Sequence, residues 1–223
     1  MNRQCYYFWL FLSKPNPGTS TGDSAPIPPM STRHLVLAST SIYRKQLLER
    51  FGLPFETARP EVDETPLPGE TPVATAERLA TEKARAVANL FPNALIIGSD
   101  QVAHRGDVRF DKPGTVERAV AQLRDMSGNT IVFHTAVCLF DSASGRTQLE
   151  GIPVEARFRK LSEAEIVRYV EQEHPLDCAG SAKSEGLGIS LLDYMRGDDP
   201  TALIGLPLIA LSRMLRAEGV QVP

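Results

Sequence analysis

The apolar positions of the chain fall into short runs separated by turn residues, and their spacing switches repeatedly between strand-like and helix-like. Residues 35–39 (LVLAS) are a compact apolar run opening into small polar residues, the pattern of a buried strand that ends in a turn. Ile42, Leu47, Leu48 and Phe51 then follow helical spacing until Gly52, predicting a helix over 42–51. Residues 55–58 read as a short strand, and the Pro- and acid-rich stretch 59–71 as a loop. Pro72 suits the first turn of a helix that runs to about Leu90. Residues 95–99 (LIIGS) give a second buried strand, 102–110 a hairpin turning at Arg105–Asp107, and 115–126 a helix. After the Ser127-Gly128-Asn129 turn, 131–140 predict a long strand. Ser142–Gly145 turn the chain back into an alternating strand over 153–159. Ser162 and Glu165 have capping-box spacing for a helix to about Glu173. A polar loop (175–188), a short apolar run (189–192) and a last helix (207–217) complete the pattern. Alternating strands and helices with hairpins among them predict an α/β fold, a mixed sheet with helices on its faces.

The first thirty residues follow another pattern. Residues 4–12 hold Tyr6, Tyr7, Phe8, Trp9 and Phe11, and 13–30 are rich in Pro, Ser, Thr and Gly. The apolar run is too short to span a bilayer. Residues 1–30 therefore read as a disordered extension or a misassigned start with Met30 as the first functional residue, and 31–223 as one folded domain.

Net charge is −3, with 24 basic and 27 acidic residues spread along the chain, which argues against a nucleic-acid surface. Three cysteines and four histidines without ligand spacing offer neither a disulfide framework nor a His- or Cys-based metal site. The expectation is a reduced, cytoplasmic enzyme with no membrane segment.

Four features carry candidate chemistry. Ser39-Thr40-Ser41 follows a strand and precedes a helix whose first turn holds Arg44 and Lys45. Free N–H groups and the helix dipole make such a turn an anion site, although an ordinary N-cap with solvated cations has the same spelling. Glu61, Asp63 and Glu64 stand in the Pro-rich loop, and Asp100 is expected just past the end of the LIIGS strand, where α/β enzymes place catalytic groups. Hard carboxylate oxygens of this kind suit magnesium together with substrate phosphates. Lys83 falls on the apolar stripe of its helix, so it either snorkels or points into a site. Lys112, held extended before Pro113, and the polar loop 179–186 are weaker signals.

Taken together, LASTSIYRKQLL, PEVDET, ERLATEK, IIGSDQV, DKP, CAGSAKSEGLG and LIGLPLIAL, in this order from Leu35 to about Gly219, resemble the Maf family of nucleoside triphosphate pyrophosphatases. The resemblance implies a Maf/ITPase-like two-lobed fold with a central cleft, a nucleoside triphosphate substrate, a divalent cation (Mg2+ or Mn2+) and a homodimer. It places Ser39, Arg44 and Lys83 on substrate phosphates, Glu64 and Asp100 on the metal, Asp100 as proton acceptor, and Lys112 as a further catalytic lysine. Lys45 stands where the family often has a second arginine. Tyr43, Gln101 and Glu185 match the positions that separate subgroups, and here they resemble the subgroup associated with 7-methyl-GTP. N7-methylation makes guanine cationic, so Glu185 can pair with it and Tyr43 can stack on it. Other nucleotides, or a role in septum formation through a protein partner, are the alternatives.

Overall fold

The computed structural model describes residues 33–222. The expected extension 1–30 lies outside the described residues. Twelve regular elements follow the predicted order: β1 (His34–Ala38), α1 (Ile42–Glu49), β2 (Glu56–Ala58), α2 (Pro72–Ala86), β3 (Ala94–Arg105), β4 (Val108–Arg109), α3 (Val116–Met126), β5 (Thr130–Asp141), β6 (Thr147–Phe158), α4 (Glu163–Glu173), β7 (Leu192–Arg196) and α5 (Leu208–Ala217). The sheet order is β2-β1-β3-β5-β6-β7, with β4 on β3. Pairing is parallel from β2 to β3 and antiparallel beyond it, so the sheet is mixed as expected.

Local chemistry explains the boundaries. Ser41 and Thr71 cap α1 and α2 through their side chains, and Pro72 opens α2 without forfeiting a helical N–H. The Ser162–Glu165 capping box forms in both directions at the start of α4. Packing then follows the two sheet faces. Ala76, Ala80 and Ala84 of α2, with Val87 at its C-cap, cover Val36, Ile96, Val102, Ala136 and Cys138. The opposite face packs α1, α3, α4 and α5 around Leu37, Leu95, Ile97, Phe133, Val137 and Leu139. The alanines let α2 approach β3 closely, and Gly98 is where they meet: a Cβ there would stand 2.1 Å from the Ala80 carbonyl oxygen.

β3 is longer than its apolar run. It continues through Asp100 to Arg105, paired with β5 from Leu95 to His104. β1 accompanies it only as far as Ile97, opposite Leu37. Beyond that point one edge of β3 has lost its parallel neighbour, and the chain leaves β1 through Ser39 into α1. That interruption opens a cleft between the two halves of the sheet. Asp100 is therefore inside a strand, not past its end, and it reaches the cleft because β1 stops. Among the described residues no helix is long and apolar enough to cross a membrane.

Candidate active site

The cleft has a volume of about 710 Å³ and runs along the uncovered edge of β3. Its walls come from the β1–α1 turn, the acidic loop before α2, the β4–α3 segment and the loops around 177–185 and 203–205. At its centre is Lys83. The α2 stripe carries it inward, only 5% exposed, and its Nζ donates to Asp100 Oδ1 at 2.6 Å and approaches Glu64 Oε1 at 2.7 Å. A lysine buried this deeply needs compensating charge, and two carboxylates supply it. Burial pushes the Glu64 carboxyl up, but the hydrogen bond and charge of Lys83, then Lys112 and Arg44, outweigh it and leave Glu64 below the usual carboxylate value.

Arg44 enters from the first turn of α1. Its Nε donates to the Gly205 carbonyl at 2.9 Å, which aims the guanidinium across the cleft. Burial lowers its pKa, with Asp100 and Glu64 opposing the shift, and an arginine keeps its charge throughout. Ser39 is buried, lines the cleft, and accepts from the Ser41 amide at 3.1 Å. Lys112 lines the opposite wall and is exposed. Lys45 does not reach the cleft. It is one residue beyond Arg44, about 100° further around the helix, and it lies exposed at 4.0 Å from Glu49.

Strand alternation sends Asp100 and Gln101 to opposite faces. Asp100 meets α2, whereas the Gln101 amide nitrogen donates to Thr135 Oγ1 at 2.8 Å and to the Ala202 and Leu203 carbonyls at 3.0 Å. Ser99 shares its hydroxyl between the Ala136 and Gly205 carbonyls. Gln101, Ser99 and Thr135 thus bolt the 202–205 turn to the sheet, and that turn holds Arg44. Gln101→Ala is expected to cost about 1–2 kcal/mol by removing these bonds, a melting temperature lower by about 5 °C. Unchanged thermal denaturation would show that Gln101 does not hold the turn.

Tyr43 lines a side wall with Glu185, and Lys183 Nζ lies 6.0 Å from the centre of the Tyr43 ring. Burial raises the Tyr43 phenol, so it stays neutral near pH 7. Glu185 is solvent-exposed at the mouth. The neighbouring wall still desolvates its carboxyl enough to raise it above the ordinary Glu value, and Glu173 and Asp177 add repulsion that Lys183 offsets in part.

The sequence reading missed Arg109, which crosses the cleft wall to donate to Thr75 Oγ1 (2.9 Å) and the Glu70 carbonyl (2.7 Å). It also missed Lys183. A two-residue strand gives Arg109 no periodicity to be read from, and Lys183 is one polar residue in a polar loop with no spacing that marks it.

A family profile described as "Maf-like protein" matches residues 34–218. The chain belongs to the Maf-like protein family. It is 66% identical over 189 residues to a "7-methyl-GTP pyrophosphatase" of Aromatoleum aromaticum, covering 85% of this chain and 97% of that one. Proteins with the same description in Burkholderia thailandensis (58% over 192 residues, 85% and 89% of the two chains) and Polaromonas sp. (57% over 205, 92% and 93%) are also similar. The Maf match spans all the elements that line the cleft.

Proposed function

We propose that the chain hydrolyses 7-methyl-GTP to 7-methyl-GMP and pyrophosphate. The observation that carries the hydrolytic half is the convergence of Lys83, Glu64 and Asp100 at one point, with Arg44 and Lys112 bearing on the same cleft. Cations and carboxylates around one point match a substrate that is strongly anionic and a water that must lose a proton.

The donor set also suits a divalent cation. Glu64 and Asp100 offer hard oxygens within 2.7 Å of the same nitrogen. Among the described residues no three His, Cys, Asp or Glu side chains form a cage of their own. Two carboxylates completed by phosphates and water is the arrangement magnesium favours. Bound there, Mg2+ or Mn2+ supplies charge neutralisation to the phosphates. The remaining chemistry belongs to the side chains. Ser39 and the α1 N-terminus bind phosphate oxygens. Asp100 orients a water and takes its proton as the water oxygen bonds to the α-phosphorus and the bond to the bridging oxygen breaks. Arg44, Lys83 and Lys112 stabilise the charge that passes to the leaving pyrophosphate.

The 7-methylguanine half is supported by Glu185 and Tyr43 and by the descriptions of the relatives. A carboxylate and an aromatic ring lining the same cleft suit a flat cation. A panel of GTP, 7-methyl-GTP, dTTP, UTP and ITP, followed by pyrophosphate release, tests the assignment. Glu185→Gln should lower kcat/KM for 7-methyl-GTP about tenfold, the size of one charged hydrogen bond, and leave GTP little changed. Equal losses on both substrates would refute the pairing. The pH dependence has a definite sign. Burial raises the Glu185 carboxyl above the ordinary Glu value, and only its ionised form can pair with a cationic base. Preference for the methylated base should therefore fall as the pH is lowered into that raised carboxylate range, and Glu185→Gln should remove that loss.

A further inference from the structure

Arg78 lies outside the phosphate site, yet it binds the loop that delivers Glu64. That loop, residues 59–71, has no regular secondary structure and is largely exposed. Its fixed points converge on one guanidinium. Arg78 Nε and Nη2 form a fork on Glu70 at 2.6 and 2.9 Å, and Nη2 also donates to the Thr65 carbonyl at 3.2 Å. Glu70 in turn accepts from the Leu67 amide (3.0 Å) and the Thr75 hydroxyl (2.8 Å), closing the turn between 65 and 70. Arg109 holds the same turn from β4 through the Glu70 carbonyl. Arg78 and Lys83 are on the same rigid helix, α2. One grips Thr65 and the other meets its neighbour Glu64.

We propose that Arg78 is a positioning residue that holds the acidic loop to α2 and so sets Glu64 against Lys83. The consequence for metal affinity rests on the reading of Glu64 as a metal-holding group. A bidentate fork suits this task because it fixes direction as well as distance, which an ammonium cannot do.

The test uses the full chain with Arg78→Met, Arg78→Lys, Glu64→Gln and, as a control, Arg124→Met. Arg124 pairs with Glu163 at an exposed site away from the cleft. Two quantities are read: amide hydrogen exchange over residues 63–70, and Mn2+ affinity without nucleotide, followed by the electron paramagnetic resonance of free Mn2+. Arg78→Met should speed exchange in the loop about tenfold and weaken Mn2+ binding roughly 10–100-fold, the usual effect of removing a residue that orients a ligand. Arg78→Lys should recover part of each, and Arg124→Met should change neither. Unaltered loop exchange in Arg78→Met overturns the proposal. So does unaltered Mn2+ affinity in Arg78→Met while Glu64→Gln weakens it. Faster exchange in Arg78→Met with Mn2+ affinity unchanged in both variants upholds the clamp and removes the metal role of Glu64 instead. If Arg78→Met does not fold, Glu70→Gln loosens the same fork and is read in the same way.

Discussion

Asp100→Asn is expected to lower kcat about 10³-fold, in the middle of the range for losing a general base. Asn has nearly the shape of Asp and keeps an oxygen to accept from Lys83 Nζ, so the 2.6 Å contact has a replacement. Lys83 also retains Glu64 as a counter-charge at 2.7 Å. The buried ammonium is therefore not stranded, and the melting temperature should move by only a few degrees. What Asn cannot do is take a proton from water or place a negative oxygen beside a cation. Single-turnover pyrophosphate release separates this loss from weakened binding, because saturating substrate will not restore the rate. Turnover close to that of the unaltered protein would remove Asp100 from the mechanism. Lys83→Met makes a useful contrast: it leaves Glu64 and Asp100 repelling each other in a partly buried site, so it should reduce both stability and rate.

The fold was legible wherever a face is uniformly apolar or a cap is spelled out. β1, α1, the α4 capping box and the alanine stripe of α2 fall where the pattern put them. The misreadings have physical causes. Ser99, Asp100 and Gln101 look like the end of a strand because they are polar. Asp100 and Gln101 are polar because β3 borders a cleft there, and Ser99 because its buried hydroxyl bonds the Ala136 and Gly205 carbonyls, while β5 continues to pair the strand. β6 begins at Thr147, well before the alternation at 153–159, and Pro153 disguises it. The proline is tolerated because β7 joins that edge only from Glu155 onward, leaving the position a local sheet edge. β7 itself is a largely exposed edge strand that mixes apolar and charged residues, which no periodicity announces.

The site shows the same division. Lys83 stood out as a charge on an apolar stripe, and that contradiction is resolved by two carboxylates from distant segments. Arg44 and Lys45 are indistinguishable as letters in a row, and only the helical rotation between them decides which faces the cleft. The carbonyl that aims Arg44 comes from Gly205, 161 residues away, and no local signal could connect the two.

Among the glycines of the described residues, Gly98 is where an added methyl group should do the most damage. A Cβ at this position would lie 2.1 Å from the Ala80 carbonyl oxygen and 2.7 Å from the Ala84 nitrogen, both backbone atoms of α2 that no rotamer change can move. The helix as a whole must retreat from β3. Overpacking of this kind costs about 3 kcal/mol, or a melting temperature lower by about 10 °C for a chain of this size. The effect on activity is the more telling part. Lys83 lies one residue before Ala84, so a retreat of α2 pulls the ammonium away from Asp100, and a displacement near 1 Å can cost about 10²-fold in rate. Gly52→Ala is the matched control. Gly52 has φ of +66° with nothing within 4 Å of a built Cβ, so it should lose about 1 kcal/mol from backbone strain and keep its rate. If Gly98→Ala loses stability but retains full turnover below its melting temperature, the close approach of α2 serves packing alone. A joint loss of stability and rate would mean that the glycine sets the distance at which Lys83 meets its carboxylates.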